Sequence, residues 1–362
     1  MSLVSCVKVS QTSVNPEVVF SAVKKAMELA NWEKYVKGKN LVLKVNVVWD
    51  TIYPSCTTTP MVIEGVLKVI RASKKVKPEK ITVVDTDTAA IMRADISFKV
   101  QGIEDMVKNY GATVVNLSQT EFKDIIFKKA LVLHKLRISR VLLDADTIIT
   151  MPVLKTHSYS DMTGALKNQW GCIHDLRHNF HMVLHQAIAD VNNFFKDKIT
   201  FALMDGLFGM EGKGPKTGKP RQIGYLFASP DRVALDTVAA GVMGIDPKKV
   251  KHITYAEGLG VGSMKTKTVG DPVPRFQFER ADKSNIVMGT EMWLRHLGPW
   301  MEWLMFNARS PFLLLLRWSA KVYYDLWYNL VGIKYVQQMM KTNYGVMWKD
   351  RYLTSTTIHN VE

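Results

Sequence analysis

Cysteine is scarce in this chain: Cys6, Cys56 and Cys172 are the three among 362 residues. So sparse and odd a set excludes the disulfide framework of a small secreted domain. No CxxC pair occurs, so the usual spacing of an iron–sulfur motif is missing. Long apolar runs are missing too. No uninterrupted stretch reaches the roughly 18 residues that a membrane-crossing helix needs. The first residues lack a basic segment followed by an apolar core, and the expected location is therefore cytoplasmic. No GxGxxG follows the early strands, the GxxxxGK[ST] order is absent, and there is no HExxH. The usual signals for a dinucleotide, a P-loop and a helical zinc site are thus lacking.

What is present is a chain long enough for one large domain or two smaller ones, with 47% hydrophobic residues and enough apolar side chains for a real core. A formal charge of +15 directs attention to anionic partners: phosphorylated metabolites, acidic lipid or nucleic acid. No nucleic-acid motif accompanies that charge, so nucleic acid ranks last among them.

Apolar runs alternate with helical patterns over the first 260 or so residues. Leu41–Val48, Ile81–Asp85, Ala112–Asn116, Thr147–Met151, Thr200–Met204 and Tyr225–Ala228 read as strands. Val18–Leu29, Pro60–Arg71, Ile103–Tyr110 and Val233–Val242 read as helices, the first opened by Asn15-Pro16-Glu17. The pattern predicts an α/β fold: a mainly parallel sheet flanked by helices, spanning residues 1–285. An aromatic, amphipathic helical region fills residues 286–362.

Polar residues interrupt these strands where α/β folds gather ligands. Lys44 and Asn46 alternate within the first apolar run. Thr58 and Thr59 precede the helix that begins at Pro60, with Thr59 as its expected cap. Lys155, His157, Lys167 and Asn168 fall in the stretch from Pro152 to His185, which also holds five of the nine histidines. His174, His178, His181 and His185 have helical spacing. Asp205 opens a glycine-rich segment, with Glu211, Lys213, Lys216 and Lys219, that reads as a loop able to cradle an anion. Asp236 lies among alanines and valines in a helix, where a carboxylate needs a partner or a task.

Taken together, Lys44-Val45-Asn46, Thr57-Thr58-Thr59-Pro60, Leu154-Lys155-Thr156-His157, the run Gly164–Cys172, Asp205-Gly206, Gly209-Met210-Glu211-Gly212, and Asp231 with Ala234-Leu235-Asp236 resemble the domain of unknown function 362 family of archaea and bacteria. The resemblance covers roughly residues 40–262. Some members carry a ferredoxin-like domain with iron–sulfur cysteines. For a chain without one, that implies oxidoreductase chemistry served by an external electron partner. An iron–sulfur cluster of its own would need Cys56 and Cys172 from each of two subunits of a homodimer.

The expected function is an enzyme acting on an anionic small molecule, bearing phosphate or carboxylate and linked to lipid. Lys44, Asn46, Thr58, Lys155, Lys167 and Lys213 would bind it. His157, Asn168, Asp205, Glu211 and Asp236 would orient it or move protons. Lys44, Lys155, His157, Lys167, Asn168 and Asp205 are expected to meet in one cleft. A non-catalytic membrane-surface binding protein is the alternative. Six of the nine tryptophans lie between Trp293 and Trp348, and Glu291–Arg351 holds eight Lys/Arg against four Asp/Glu. Trp293, Leu297, Trp300, Met301, Leu304 and Met305 form one helical stripe. Val322, Tyr323, Leu326, Trp327, Leu330 and Val331 form another. Such helices lie in the plane of a membrane interface, here its cytoplasmic side.

Overall fold

Strands that are apolar on both faces, as in Leu41–Leu43, can be satisfied only between two layers of helices. The computed structural model of the chain shows that arrangement; it describes all residues except 13–14, 175–176, 282–285, 308–309, 355–356 and 358–362. In chain order the strands are β1 (Ser2–Lys8), β2 (Asn40–Lys44), β3 (Lys80–Asp85), β4 (Thr113–Asn116), β5 (Phe122–Ile126) and β6 (Lys135–Ser139). They continue as β7 (Thr147–Thr150), β8 (Val153–His157), β9 (Asp161–Thr163), β10 (Ile199–Glu211), β11 (Lys219–Ser229) and β12 (Thr266–Gly270). The main sheet has the order β12-β1-β11-β10-β7-β2-β3-β4, with β8 also paired to β10 and β9 to β8. β11 and β9 run against their neighbours; the other pairings in this sheet are parallel. β5 and β6 form a separate hairpin.

Successive side chains alternate between the two layers. Leu41, Leu43, Ile149, Phe201 and Leu203 enter one core, which the helices Pro16–Leu29 and Pro60–Ala72 cover. Val42, Ile148, Ala202 and Met204 enter the other, under Leu184–Phe194 and Arg232–Val242. Asn15 caps the first helix as expected, its side chain accepting the Val18 N–H at 3.0 Å. The histidine stretch is not one helix: Arg177–Val183 is a 3₁₀ segment and only Leu184–Phe194 is α-helical.

After residue 285 come the helices Ile286–His296, Pro299–Phe306 and Pro311–Trp327. A π-helical turn, Tyr328–Gly332, leads into Ile333–Met340, and Asn343–Tyr352 follows. The boundary expected at residue 285 is crossed in the packing. Val336, Met340, Tyr344 and Trp348 are buried in the same core as Leu41 and Leu43, whereas Leu294, Phe306 and Leu313 make a small cluster of their own. Buried Glu64, on the helix Pro60–Ala72, ties the chain's end down: it accepts from Arg351 at 2.6 and 2.9 Å, Tyr110 at 2.6 Å and Tyr352 at 2.5 Å.

Candidate functional site

Parallel strands deliver their carboxyl ends to one edge of the sheet, and a cavity of about 430 Å³ opens there. Its floor is built by Thr88–Ala90 after β3, His157–Tyr159 at the end of β8, Lys167 and Trp170, Arg177 and His181, and Gly214–Lys216 beyond β10. Phe306, Leu313, Leu316, Ala320, Tyr323 and Tyr324 of the C-terminal helices form the facing wall.

Below this floor lies a buried polar network. Lys44, almost fully buried in a central strand, pairs with Asp85 at 2.8 Å and donates to the Val45 carbonyl at 2.7 Å. Lys155 donates to Asn46 Oδ1 at 2.6 Å and to the Cys56 carbonyl at 3.2 Å. Asn46 donates in turn to Asn168, whose amide reaches the Lys44 carbonyl and the Thr150 hydroxyl. The motif's glycines belong to this packing. A Cβ on Gly171 would lie 2.8 Å from both Asp85 Oδ1 and Lys44 Nζ, and one on Gly164 would lie 2.2 Å from Asp236 Oδ1. Among the residues expected to bind or react, His157 and Lys167 line the cavity, while Lys44, Asn46, Lys155 and Asn168 form the network beneath it. Thr58 serves the backbone, accepting from Asn46 N and donating to the Met151 carbonyl.

The expected acids lie elsewhere. Asp205 sits within β10, and its carboxylate accepts the Thr59 N–H at 2.7 Å, the Thr59 hydroxyl at 2.8 Å and the Leu207 N–H at 2.9 Å. It holds Thr59, the residue at the start of that helix, whose own side chain makes no cap bond. Asp236 accepts from Ala165 N at 2.6 Å and Leu166 N at 2.9 Å, and burial pushes its carboxyl up to about 7. Both hold helix starts from elements distant in sequence. Glu211 ends β10 paired with Arg221 at 3.0 Å, away from the cavity wall. As far as Glu211 the glycine-rich segment is the extension of β10, where a Cβ on Gly206 would come within 2.6 Å of the Tyr225 carbonyl of β11, and its end, Gly214-Pro215, lines the cavity. Lys213 is exposed in the turn that follows, and Lys216 is the residue that enters the cavity.

The two cysteines expected to share a cluster across a dimer do not lie in one core. Cys56 and Cys172 are buried in the two different cores, and burial pushes each thiol up to about 12.

The cavity is strongly cationic. Burial, reinforced by Arg177, Lys155 and Lys44, lowers the Lys167 ammonium to about 7; burial does the same for Lys216, and brings Lys155 beneath to about 8. Lys216 lies 3.3 Å from the Thr88 hydroxyl and 4.8 Å from the centre of the Tyr324 ring, and Lys167 faces Trp170. Arg177 donates to the carbonyls of Asp87 and Trp170. Arg317 reaches in from the C-terminal helix to the Ala89 carbonyl at 2.7 Å. Glu291 is the one carboxylate lining the cavity among the described residues, and Tyr159, His181 and Arg295 hold it. Burial, with Lys167 and Lys155 nearby, lowers His157 well below the usual histidine range, so its ring is neutral. Sequence reading passed over Arg177, Glu291 and Arg317 as site residues, and singled out His181 only as one of a group of histidines. Arg177 and His181 sit in the stretch already singled out, but nothing local marks Glu291 or Arg317 as reaching back to the sheet.

Residues 41–241 match the family described as Domain of unknown function (DUF362). A thylakoid-associated protein of Synechocystis sp. is 36% identical over 137 residues, which is 35% of this chain and 42% of that protein. The chain therefore spans less than half of that relative's length. Two solved structures superpose over part of the chain. The lactate racemase apoprotein from Thermoanaerobacterium thermosaccharolyticum does so with 16% identity and a TM-score of 0.37, over 68% of this chain and 58% of that one. A Thermotoga maritima protein gives 13% identity and a TM-score of 0.34, over 59% and 55%.

Proposed function

The chain belongs to the DUF362 family, and we propose that its cleft is that of a membrane-surface enzyme acting on an anionic amphiphile. The observation that carries this reading is the contrast between the cavity's two walls. Lys167, Arg177 and Lys216 are brought together on the floor at an electrostatic cost that a bound phosphate or carboxylate would offset. On the facing side Glu291 and Arg317 are already held by Tyr159, Arg295 and the Ala89 carbonyl, and the stretch of Phe306, Leu313, Leu316 and Tyr323 suits an acyl or prenyl chain. His157, neutral, and lysines near neutrality are groups suited to proton transfer, which favours an enzyme over a passive binder. An electron-transfer role draws only on the family's ferredoxin-bearing members and gains no support from the residues that line the cavity.

The wall helix also supports the membrane reading. Leu313, Leu316, Ala320 and Tyr324 of Pro311–Trp327 face inward, yet Leu314, Leu315, Trp318, Val322 and Leu326 are exposed. Its cations turn toward the protein, Arg317 to the Ala89 carbonyl and Lys321 to Asp50 and Asp325. A helix that is apolar all round needs burial on both sides. Trp293, Trp300 and Trp303 extend the exposed apolar area, as residues of the interface do. No helix among the described residues is long and apolar enough to cross a membrane, so attachment would be to one leaflet. The thylakoid association of the Synechocystis relative fits this reading.

Calorimetry with dodecyl phosphate, inorganic phosphate and dodecyl maltoside tests the reading. Dodecyl phosphate should bind most tightly, and Lys167→Gln and Lys216→Gln should each weaken it by roughly tenfold, the worth of one charged hydrogen bond. Equal binding of the maltoside would show that the cationic floor is irrelevant. Equal binding of inorganic phosphate would show the same of the apolar wall.

A further inference from the structure

The three floor cations have uncharged partners. Lys216 Nζ lies 3.3 Å from the Thr88 hydroxyl, and its other contacts are the Met92 sulfur and the Tyr324 ring, whose centre is 4.8 Å away. Arg177 donates to the carbonyls of Trp170 and Asp87. Lys167 has the Trp170 ring, with the centroid 5.6 Å from Nζ. Thr88, Trp170 and Tyr324 line the cavity themselves, so the charged ends lie at its surface. The nearby carboxylates are engaged elsewhere. Asp85 pairs with Lys44 at 2.8 Å, and Glu291 with Arg295 at 3.1 Å. Asp87 Oδ1 accepts the Ala94 N–H at 2.9 Å and the Asn116 amide at 2.7 Å. Asp85 and Asp87 reach Arg177 only through their field. Among the described residues, no carboxylate pairs with Lys167, Arg177 or Lys216.

Shared contacts put the three in a row. Arg177 touches both Asp87 and Trp170. Lys216 lies at Thr88, the next residue after Asp87, and Lys167 lies at Trp170, so Arg177 links the two lysines. The Lys216 end touches the apolar side through Tyr324, and Arg317 reaches the following residue, Ala89. Buried cations without partners are costly, and the ligand that relieves most of that cost is one that meets all three. A carboxylate brings a single charge. A phosphate monoester brings about 1.5 to 2 charges near pH 7, and centred on Arg177 it leaves part of the row unmatched. Two linked phosphoryl groups cover the row. We propose that the headgroup recognised here is a diphosphate lying along Lys167, Arg177 and Lys216, and that the substrate class is the diphosphate monoester of a long apolar alcohol. Guanidinium suits the middle place, because its fork of donors can serve oxygens of both phosphoryl groups. The chain passes from the Lys216 end to Phe306, Leu313 and Leu316.

This rests on the amphiphile reading and specifies its headgroup, and the test separates the two. Calorimetry of the intact protein at pH 7 compares dodecyl diphosphate, dodecyl phosphate and dodecanoate, which share one chain. EDTA in the buffer keeps divalent cations from assisting the headgroup. Affinity should fall in that order, with the diphosphate ahead of the phosphate by about tenfold or more, the worth of one further charged hydrogen bond. In Arg177→Gln, whose melting temperature checks folding, that advantage should shrink to about threefold or less, because both phosphoryl groups lose their shared donor. A diphosphate that binds no more tightly than the phosphate would overturn the assignment, even where both bind far better than dodecyl maltoside and the amphiphile reading stands. An advantage unchanged in folded Arg177→Gln would overturn the row. Inorganic pyrophosphate that matches dodecyl diphosphate would overturn the alcohol's chain as part of the substrate class, and with it the apolar half of the amphiphile reading.

Discussion

From Ile333 to Tyr352 the C-terminal helices turn their large apolar residues inward; from Trp293 to Val331 many are turned outward. Tyr344 and Trp348 are fully buried against the sheet's core, whereas Trp303, Leu315 and Leu330 are 69%, 65% and 68% exposed. Both stretches have helical apolar spacing, so periodicity alone makes them look alike. What separates them is where the charges go. In the inner stretch Arg351 meets Glu64, itself buried on the helix Pro60–Ala72; in the outer one Arg317 and Lys321 point back into the protein and leave the outside bare. One stretch completes the fold, and the other is left for a partner phase.

Substitutions that act on one stretch and spare the other sharpen this comparison. The largest expected effect is on folding. Trp348→Ala should cost about 3–5 kcal/mol, the range for an aromatic removed from a core. Its melting temperature should fall by several degrees, while the folded fraction still floats with vesicles. Cutting the chain near residue 285 would confuse the two regions, because it removes Tyr344 and Trp348 as well. The triple variant Leu315→Gln, Trp318→Gln, Leu330→Gln should do the opposite. Its melting temperature should stay within about 2 °C, as for ordinary surface changes. Its partition onto vesicles of phosphatidylcholine with phosphatidylglycerol should fall by roughly a thousandfold or more, given about 1.5 kcal/mol or more per buried side chain. A triple variant that floats normally would break the comparison.

A smaller effect concerns pH. Lys167 and Lys216 sit near 7, so they are charged below that pH and lose charge above it. Dodecanoate stays ionised from pH 6.5 to 8.5, and its affinity should fall about tenfold or more across that range as the lysines discharge. The empty protein should respond with the opposite sign. Folded lysines depressed from an unfolded value near 10.4 hold fewer protons than the unfolded chain, so stability should rise as pH climbs above 7. Thermal melts without ligand at pH 7 and 9 check that sign.

The sheet was legible because strands such as Leu41–Leu43 are apolar on both faces, and the helix starts were legible from Asn15-Pro16 and Pro60. That His157 and Lys167 would lie where the cavity opens was legible because they follow buried strands. The carboxylates misled for a physical reason. A buried acid looks reactive in sequence, but Asp205 and Asp236 are buried because they hold helix starts 146 and 71 residues away along the chain. No local pattern records such a contact. The glycines after Asp205 misled similarly, since close pairing of β10 with β11 and a phosphate-cradling turn both call for a missing Cβ. Glu291 and Arg317 were illegible because their role depends on a helix folding back over the cavity.

The central claim is that the floor binds a charge and the wall binds a chain. A series of alkyl phosphates of increasing length, titrated calorimetrically below their aggregation concentrations, tests it most directly. Affinity should rise about three- to fourfold per methylene, following roughly 0.8 kcal/mol for each one buried, and level off once the cavity of about 430 Å³ is filled. An affinity that does not change with chain length, or alkyl maltosides that match the phosphates at every length, would contradict it.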